Sequence, residues 1–177
     1  MSIFKIPARE EVSPNNQAIF DNLEKAIGKV PNLYAYFGRS KNSLGNYLNL
    51  QNAKTSISTK EREVINLVVS QINDCRYCLS AHTVFGKLSG FTDDQIIEIR
   101  KGTASFDPKL DALGKFVLSV TQNKGRIEKE ILDNFFGAGY TEENMIDVVM
   151  VIGDKIISNY IHAITGIEID WPLAVIL

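Results

Sequence analysis

Two cysteines, Cys75 and Cys78, stand three residues apart, with His82 four residues beyond the second and Glu63 on the preceding segment. In a helix, residues three and four apart are neighbours, so both thiols and the imidazole share one face. Two thiols one turn apart at a helix start can close a disulfide. An imidazole one turn further along can accept or supply a proton. The unpaired N–H groups of a helix start form a positive end of roughly half a charge. Cysteines so placed have pKa values lowered to about 3.5–7.5 from about 8.5, and the thiolate is the nucleophile. Glu63 lies about three turns before a break at Asn73-Asp74. An antiparallel hairpin would carry it back to His82, where it could orient the ring as a carboxylate orients the base of a triad. The chemistry these residue types support is thiol redox: reduction of a peroxide or a disulfide.

The elements that must position them read as helices. Pro14 with Asn15 or Asn16 opens a first helix to about Ala26, and a second runs from about Pro31 through Leu50. Ser58 and Glu61 form a capping box for a helix over about 59–72, which gives Glu61 a structural task and leaves Glu63 for His82. Asn73 or Asp74 caps the cysteine helix, which stops near Ser89-Gly90. Further helices open at Thr92, at Asp107-Pro108 and near Glu128. Thr141 opens the last, which runs to Thr165-Gly166. That last helix is apolar nearly all round and is expected to be central. No segment alternates as a strand would.

An internal echo accompanies this pattern. Gly90 to Ile97 matches Gly139 to Ile146 at an offset of 49, which also lays Leu67 to Ser70 onto Phe116 to Ser119. Cys75, Cys78 and His82 then fall opposite Lys124, Ile127 and Ile131. The expectation is one all-α domain over 1–177 built from two similar halves, about 15–102 and 107–166, with a tail over 167–177. Only the first half carries a site.

Composition narrows the class. The 177 residues are 45% hydrophobic and 23% charged with net charge -2, as in an ordinary globular chain. Lys and Arg are interleaved with acids, which argues against a nucleic-acid surface. The longest apolar runs, such as Val148 to Ile152, fall far short of the roughly 20 residues that span a bilayer. The N-terminal stretch meets Lys5 at once and has no signal-peptide core, so a cytoplasmic location is expected. Two closely spaced cysteines suit redox or metal work in a reducing compartment rather than a stapled secreted scaffold.

The pattern Glu63-x11-Cys75-x2-Cys78-x3-His82 resembles the alkyl hydroperoxidase AhpD and its relatives in the carboxymuconolactone decarboxylase-like superfamily. Asn159-Tyr160-Ile161-His162 followed by Asp170-Trp171-Pro172 resembles the peroxidase-related branch. The resemblance implies an AhpD-like helical bundle without a cofactor. It implies a hydroperoxide substrate, a dithiol reductant (a lipoyl-type carrier is one candidate) or a peroxiredoxin partner, and homo-oligomers, often trimers or hexamers. Cys78 would attack the peroxide and Cys75 would close the disulfide, with Glu63 and His82 relaying the proton. AhpD itself has a His just before its second cysteine, where this chain has Tyr77, whose hydroxyl could still donate.

Other readings remain open at this stage. The helix field favours Cys75 as the more acidic thiol, and base proximity favours Cys78. Cys75, Cys78 and His82 could be zinc ligands with Glu63 or His162 as the fourth, although structural zinc usually draws four ligands from separate elements. The expectation is no metal. His162 is either a hydrogen-bonded core or interface histidine or, with Tyr77, a support of the site. Tyr34, Tyr36, Phe37 and Tyr47 fit core or channel lining. The apolar tail from Trp171 to Leu177 either covers its own core or packs on a neighbouring subunit, the latter favoured. A reductase or adaptor for a peroxiredoxin is the alternative function, and a lactone decarboxylase is another. Superfamily members with that last chemistry do not depend on a cysteine pair.

Overall fold

The computed structural model describes residues 3–177 and consists of helices and their connections among those residues. The helices are α1 (Pro14–Ile27), α2 (Asn32–Phe37), α3 (Ser43–Gln51), α4 (Thr59–Ile72), α5 (Arg76–Leu88), α6 (Asp93–Arg100), α7 (Pro108–Gln122), α8 (Lys129–Gly137) and α9 (Glu142–Thr165). None of them is long and apolar enough to cross a membrane. The chain divides into two compact units: one comprises residues up to Ala53 with Ile161–Asp170, the other Lys54–Tyr160 with Trp171–Leu177.

In the first unit the expected single helix from Pro31 to Leu50 is broken into α2 and α3. The break has an identifiable cause. Gly38 packs so closely on Phe20 that a Cβ there would sit 2.9 Å from the ring. The buried Asn16 amide donates to the carbonyls of Gly38 and Ser40, both at 2.9 Å, and so satisfies backbone groups that a continuous helix would have bonded itself. Ser13, not Asn15 or Asn16, caps α1. Phe37 stacks on Tyr47 at 4.6 Å. Lys29 pairs with Asp170 at 3.1 Å, and Asn32 donates to the same carboxylate and to the Glu168 carbonyl.

The second unit is organised around α4. Every residue from Glu63 through Ser70 is buried, so this helix, rather than α9, is the one enclosed on all sides. It packs against α5, α6 and α7. Ser58 and Glu61 form the expected capping box at its start. Ile65, Leu67, Val68 and Val69 meet Ile99 of α6, Leu113 and Val117 of α7, Phe135 of α8, and Val148, Val151 and Ile152 of α9 in one cluster. Phe135 is sandwiched between Phe116 at 4.2 Å and Tyr140 at 4.5 Å, close to parallel with both. The sequence echo has a structural counterpart: α4 and α7 begin 49 residues apart, as do α6 and α9. Gly90 and Gly139 share a left-handed φ of 91° and 92° at equivalent turns.

One face of α9 departs from expectation. Ile146, Val149, Met150, Ile157 and Tyr160 are exposed, while the opposite face enters the core. The tail returns to its own unit. Trp171 packs on Phe85, the Ala174 N–H donates to Ser80 Oγ at 3.1 Å, and Arg100 donates to the Val175 carbonyl at 2.8 Å. Leu173, Val175, Ile176 and Leu177 nonetheless face outward.

Phe135 is fully enclosed and contacts two rings. Phe135→Ala is therefore expected to destabilise the second unit by about 3–5 kcal/mol, through lost transfer energy and an unfilled cavity. Thermal unfolding should show a fall of roughly 10 °C; a fall under about 2 °C would contradict this account of the core.

Candidate active site

The turn between α4 and α5 fixes the first cysteine. Asp74 adopts a left-handed φ of 48°, which reverses the chain. The Cys75 N–H then donates to the Ser70 carbonyl at 2.9 Å. The cap of α5 is Cys75 itself, in place of the expected Asn73 or Asp74: its Sγ accepts from the Cys78 N–H at 3.4 Å. Asn73 is used elsewhere, donating to Asn159 Oδ1 on α9 at 3.0 Å, while Asn159 donates to Ser70 Oγ at 3.3 Å. These two bonds tie α9 to the end of α4 beside the thiols. Both cysteines are free thiols, 1% and 3% exposed.

The hairpin expected from the sequence brings Glu63 of α4 onto His82 of α5. Nδ1–H donates to Glu63 Oε2 at 2.8 Å, because a carboxylate can only accept. That sets the tautomer and leaves Nε2 as the other ring nitrogen. The second carboxylate oxygen accepts from Asn66 at 3.0 Å. Burial alone would push the Glu63 carboxyl up, but the charge and hydrogen bond of His82, the charge of Lys155 and the Asn66 bond outweigh it. Glu63 stays ionised below the usual range, inside an apolar helix bundle.

The two thiols are polarised in opposite directions. Burial would raise Cys78, yet the Cys75 hydrogen bond, Lys155, His82 and Asn159 together lower it to about 6. Cys75 is pushed far up by the hydrogen bond it gives to Cys78, by burial and by the adjacent thiolate. Cys78 is thus the more acidic thiol and Cys75 the proton-bearing partner. The third wall is α9, where Ser158 Oγ lies 4.0 Å from Cys78 Sγ and donates to the Lys155 carbonyl at 2.9 Å.

Sequence reasoning missed this wall. Its signal was the charged pair Asp154-Lys155 within an otherwise apolar helix, and both residues are buried. Tyr77 is buried on α5 and its hydroxyl accepts from the Trp171 indole at 3.3 Å. Phe85, beside His82 at 6.0 Å, carries Trp171 on its other side at 5.4 Å. His162 belongs to the other unit and donates from Nε2 to the Ile167 carbonyl at 3.2 Å; burial lowers its pKa against that bond. No group of three His, Cys, Asp or Glu among the described residues is arranged to hold a metal ion.

Fold and site together define an all-helical protein with a buried dithiol, an imidazole and an ionised carboxylate. Residues 41–107 match the carboxymuconolactone decarboxylase family. An uncharacterized peroxidase-related protein from Silicibacter sp. TM1040 shares 23% identity over 94% of this chain and 91% of its own, with a TM-score of 0.80. A second, from Ralstonia eutropha JMP134, described as an alkylhydroperoxidase AhpD core, shares 17% over 96% and 92%, with a TM-score of 0.86. A variant of the debrominase Bmp8 in complex with 2,3,4-tribromopyrrole shares 18% over 96% and 94%, with a TM-score of 0.77. No curated protein matches the sequence. The likeness to these structures is one of fold, and the family match is confined to residues 41–107.

The opposed polarisation has a direct readout. In the reduced protein, thiolate absorbance near 240 nm should rise for one thiol with a midpoint of about 6, while the other stays protonated through pH 9. Cys75→Ala removes the S–H donor and should move the midpoint upward. Two equal titrations near 8 to 9 would contradict the assignment.

Proposed function

We propose that this chain is a two-cysteine thiol peroxidase acting on small hydroperoxides. The observation that carries the reading is a lowered Cys78 beside a proton-bearing Cys75, with His82 held by Glu63 at 2.8 Å. The Cys78 thiolate attacks the outer oxygen of ROOH and the O–O bond breaks, giving a sulfenic acid on Cys78 and an alkoxide. The proton that Cys78 surrendered, carried by His82, goes to the alkoxide, and ROH leaves. Cys75 Sγ then attacks Cys78 Sγ. The S–OH bond breaks, the Cys75 proton joins the departing hydroxide as water, and a disulfide remains. A dithiol carrier, of which a lipoyl arm is one candidate, reopens it by exchange.

Burial supports a small substrate over the reductase or adaptor alternative. At 1% and 3% exposure, neither sulfur offers a folded protein's disulfide a line of approach. The likeness to a debrominase supports adding a bromopyrrole to the same assay. Attack on bromine would consume the same two electrons and close the same disulfide, releasing bromide.

Free thiols should fall from two to none with one equivalent of alkyl hydroperoxide, and ROH should form in equal amount. Cys75→Ser should stop at a sulfenic acid on Cys78 that dimedone traps, and Cys78→Ser should consume no peroxide. Glu63→Gln should slow the reaction by about a hundredfold, the size of a proton-transfer contribution. Survival of both thiols sinks the peroxidase reading, and bromide release without peroxide loss replaces it with reductive dehalogenation.

A further inference from the structure

Lys155 is 2% exposed, on the buried face of α9 that also carries Ser158 and Asn159. Among the described residues no carboxylate forms an ion pair with its ammonium. A buried cation without a partner is expensive, and a hydrophobic residue of the same length would pack more cheaply. Its charge falls on Glu63, Cys75 and Cys78. Ser158, three residues on, stands 4.0 Å from Cys78 Sγ, and Asn159, four residues on, bonds Asn73 and Ser70 at the thiol turn. The titratable groups its charge reaches are Glu63 on α4, Cys75 at the turn and Cys78 on α5; His82 of α5 acts on the same Glu63 and Cys78, and Asp154 is its neighbour in sequence on α9. Glu63 is already bonded through both oxygens, to His82 and Asn66, so the anion left for Lys155 is Cys78.

We propose that Lys155 is a positioning residue of the dithiol site, an ammonium kept unpaired so that its field holds Cys78 as the thiolate. The role rests on Cys78 being the reactive sulfur, whatever electrophile it meets, so the test uses alkylation rather than peroxide. Iodoacetamide rates at Cys78 would be measured from pH 5 to pH 9.5 in wild type, Lys155→Met, Lys155→Gln and Lys155→Arg. Both neutral variants should move the midpoint up toward the free-cysteine value of about 8.5. Their rates at pH 7 should then fall by about tenfold or more. Rates near pH 9.5 should converge on wild type, and Lys155→Arg should keep the low midpoint. An unchanged midpoint in a folded neutral variant overturns the proposal. So does a loss of rate that is equal at every pH, which would mark a structural role.

A different observation carries a second inference, on the outer face of α9. Ile146, Val149, Met150, Ile157 and Tyr160 are 42% to 60% exposed along one stripe. The charges of this segment avoid it: Asp147 bonds Ser56, and Asp154 and Lys155 turn inward. Gly153 stands at the centre, seven residues from Ile146 and from Tyr160, and four from Val149 and from Ile157. A mid-helix glycine costs about 1 kcal/mol relative to alanine. Among the described residues nothing outside its own stretch of helix backbone lies within 4 Å of where its Cβ would be, so no contact seen there requires it.

We infer that a second copy of the chain docks here, α9 against α9, antiparallel across a two-fold axis at Gly153. Ile146 then meets the partner's Tyr160, and Val149 the partner's Ile157. A stripe symmetric about its midpoint is what a self-complementary interface needs, and the bare glycine lets the two backbones approach. With Cys75 and Cys78 replaced by Ser, a Gly153→Cys chain should oxidise to a disulfide-linked dimer. Ile146→Cys should crosslink only when mixed with Tyr160→Cys. Val149→Glu should reduce the mass seen in sedimentation. A monomeric wild type, an Ile146→Cys chain that crosslinks only to itself, or an assembly indifferent to Val149→Glu overturns the inference.

Discussion

The hydrogen bond between two sulfurs at the start of α5 governs what this site can do. A dithiol in an apolar bundle would ordinarily be inert, because burial raises both pKa values. Here the turn after α4 places Cys75 in the capping position, so that its sulfur accepts the Cys78 N–H and donates its S–H to the Cys78 sulfur. The asymmetry is then self-reinforcing. The more Cys78 carries the negative charge, the more firmly Cys75 keeps its proton. The fold itself distinguishes the two sulfurs, one as thiolate and one as thiol.

That arrangement depends on a rigid floor. The eight consecutive buried residues of α4 make it the one helix whose side chains cannot rearrange without disturbing α5, α6 and α7 together. Glu63 stands on this floor, fixed through both oxygens, and His82 takes its orientation from it. Glu63 is held by His82 of α5 as well as by Asn66 of its own helix, and Lys155 and Asn159 of α9 join Cys75 in lowering the Cys78 thiol. The price of burying charge is spread over three elements that the hydrophobic cluster already holds together.

Much of this was legible in the sequence, for reasons that differ by residue. Local signals survived folding: the Ser58–Glu61 box, the Asp107-Pro108 start, and Gly90 and Gly139 as left-handed stops each depend on a few neighbouring residues. The meeting of Glu63 with His82 was legible because a tight turn converts sequence spacing into register. What failed was tertiary. Gly38 reads as a tolerated helical glycine until Phe20 is seen against it. The cap of α5 was given to Asn73 or Asp74 because their side chains are the usual acceptors, but Asn73 is committed to Asn159, 86 residues away.

The misreading of α9 is the most instructive. Apolar residues around most of a helix suggested a central position, yet apolar spacing does not say whether the covering surface belongs to the same chain. Two features separate the faces. Asp154 and Lys155 are charges placed where an apolar residue would serve stability better, which points to work done at that face. Gly153 is a weak helix former placed where this chain presents no steric reason for it, which points to something approaching from outside. One helix therefore answers to two constraints. Its inner face tunes a sulfur and its outer face lacks the charges a solvated face would carry, so each of its unfavourable residues identifies the surface on which it acts.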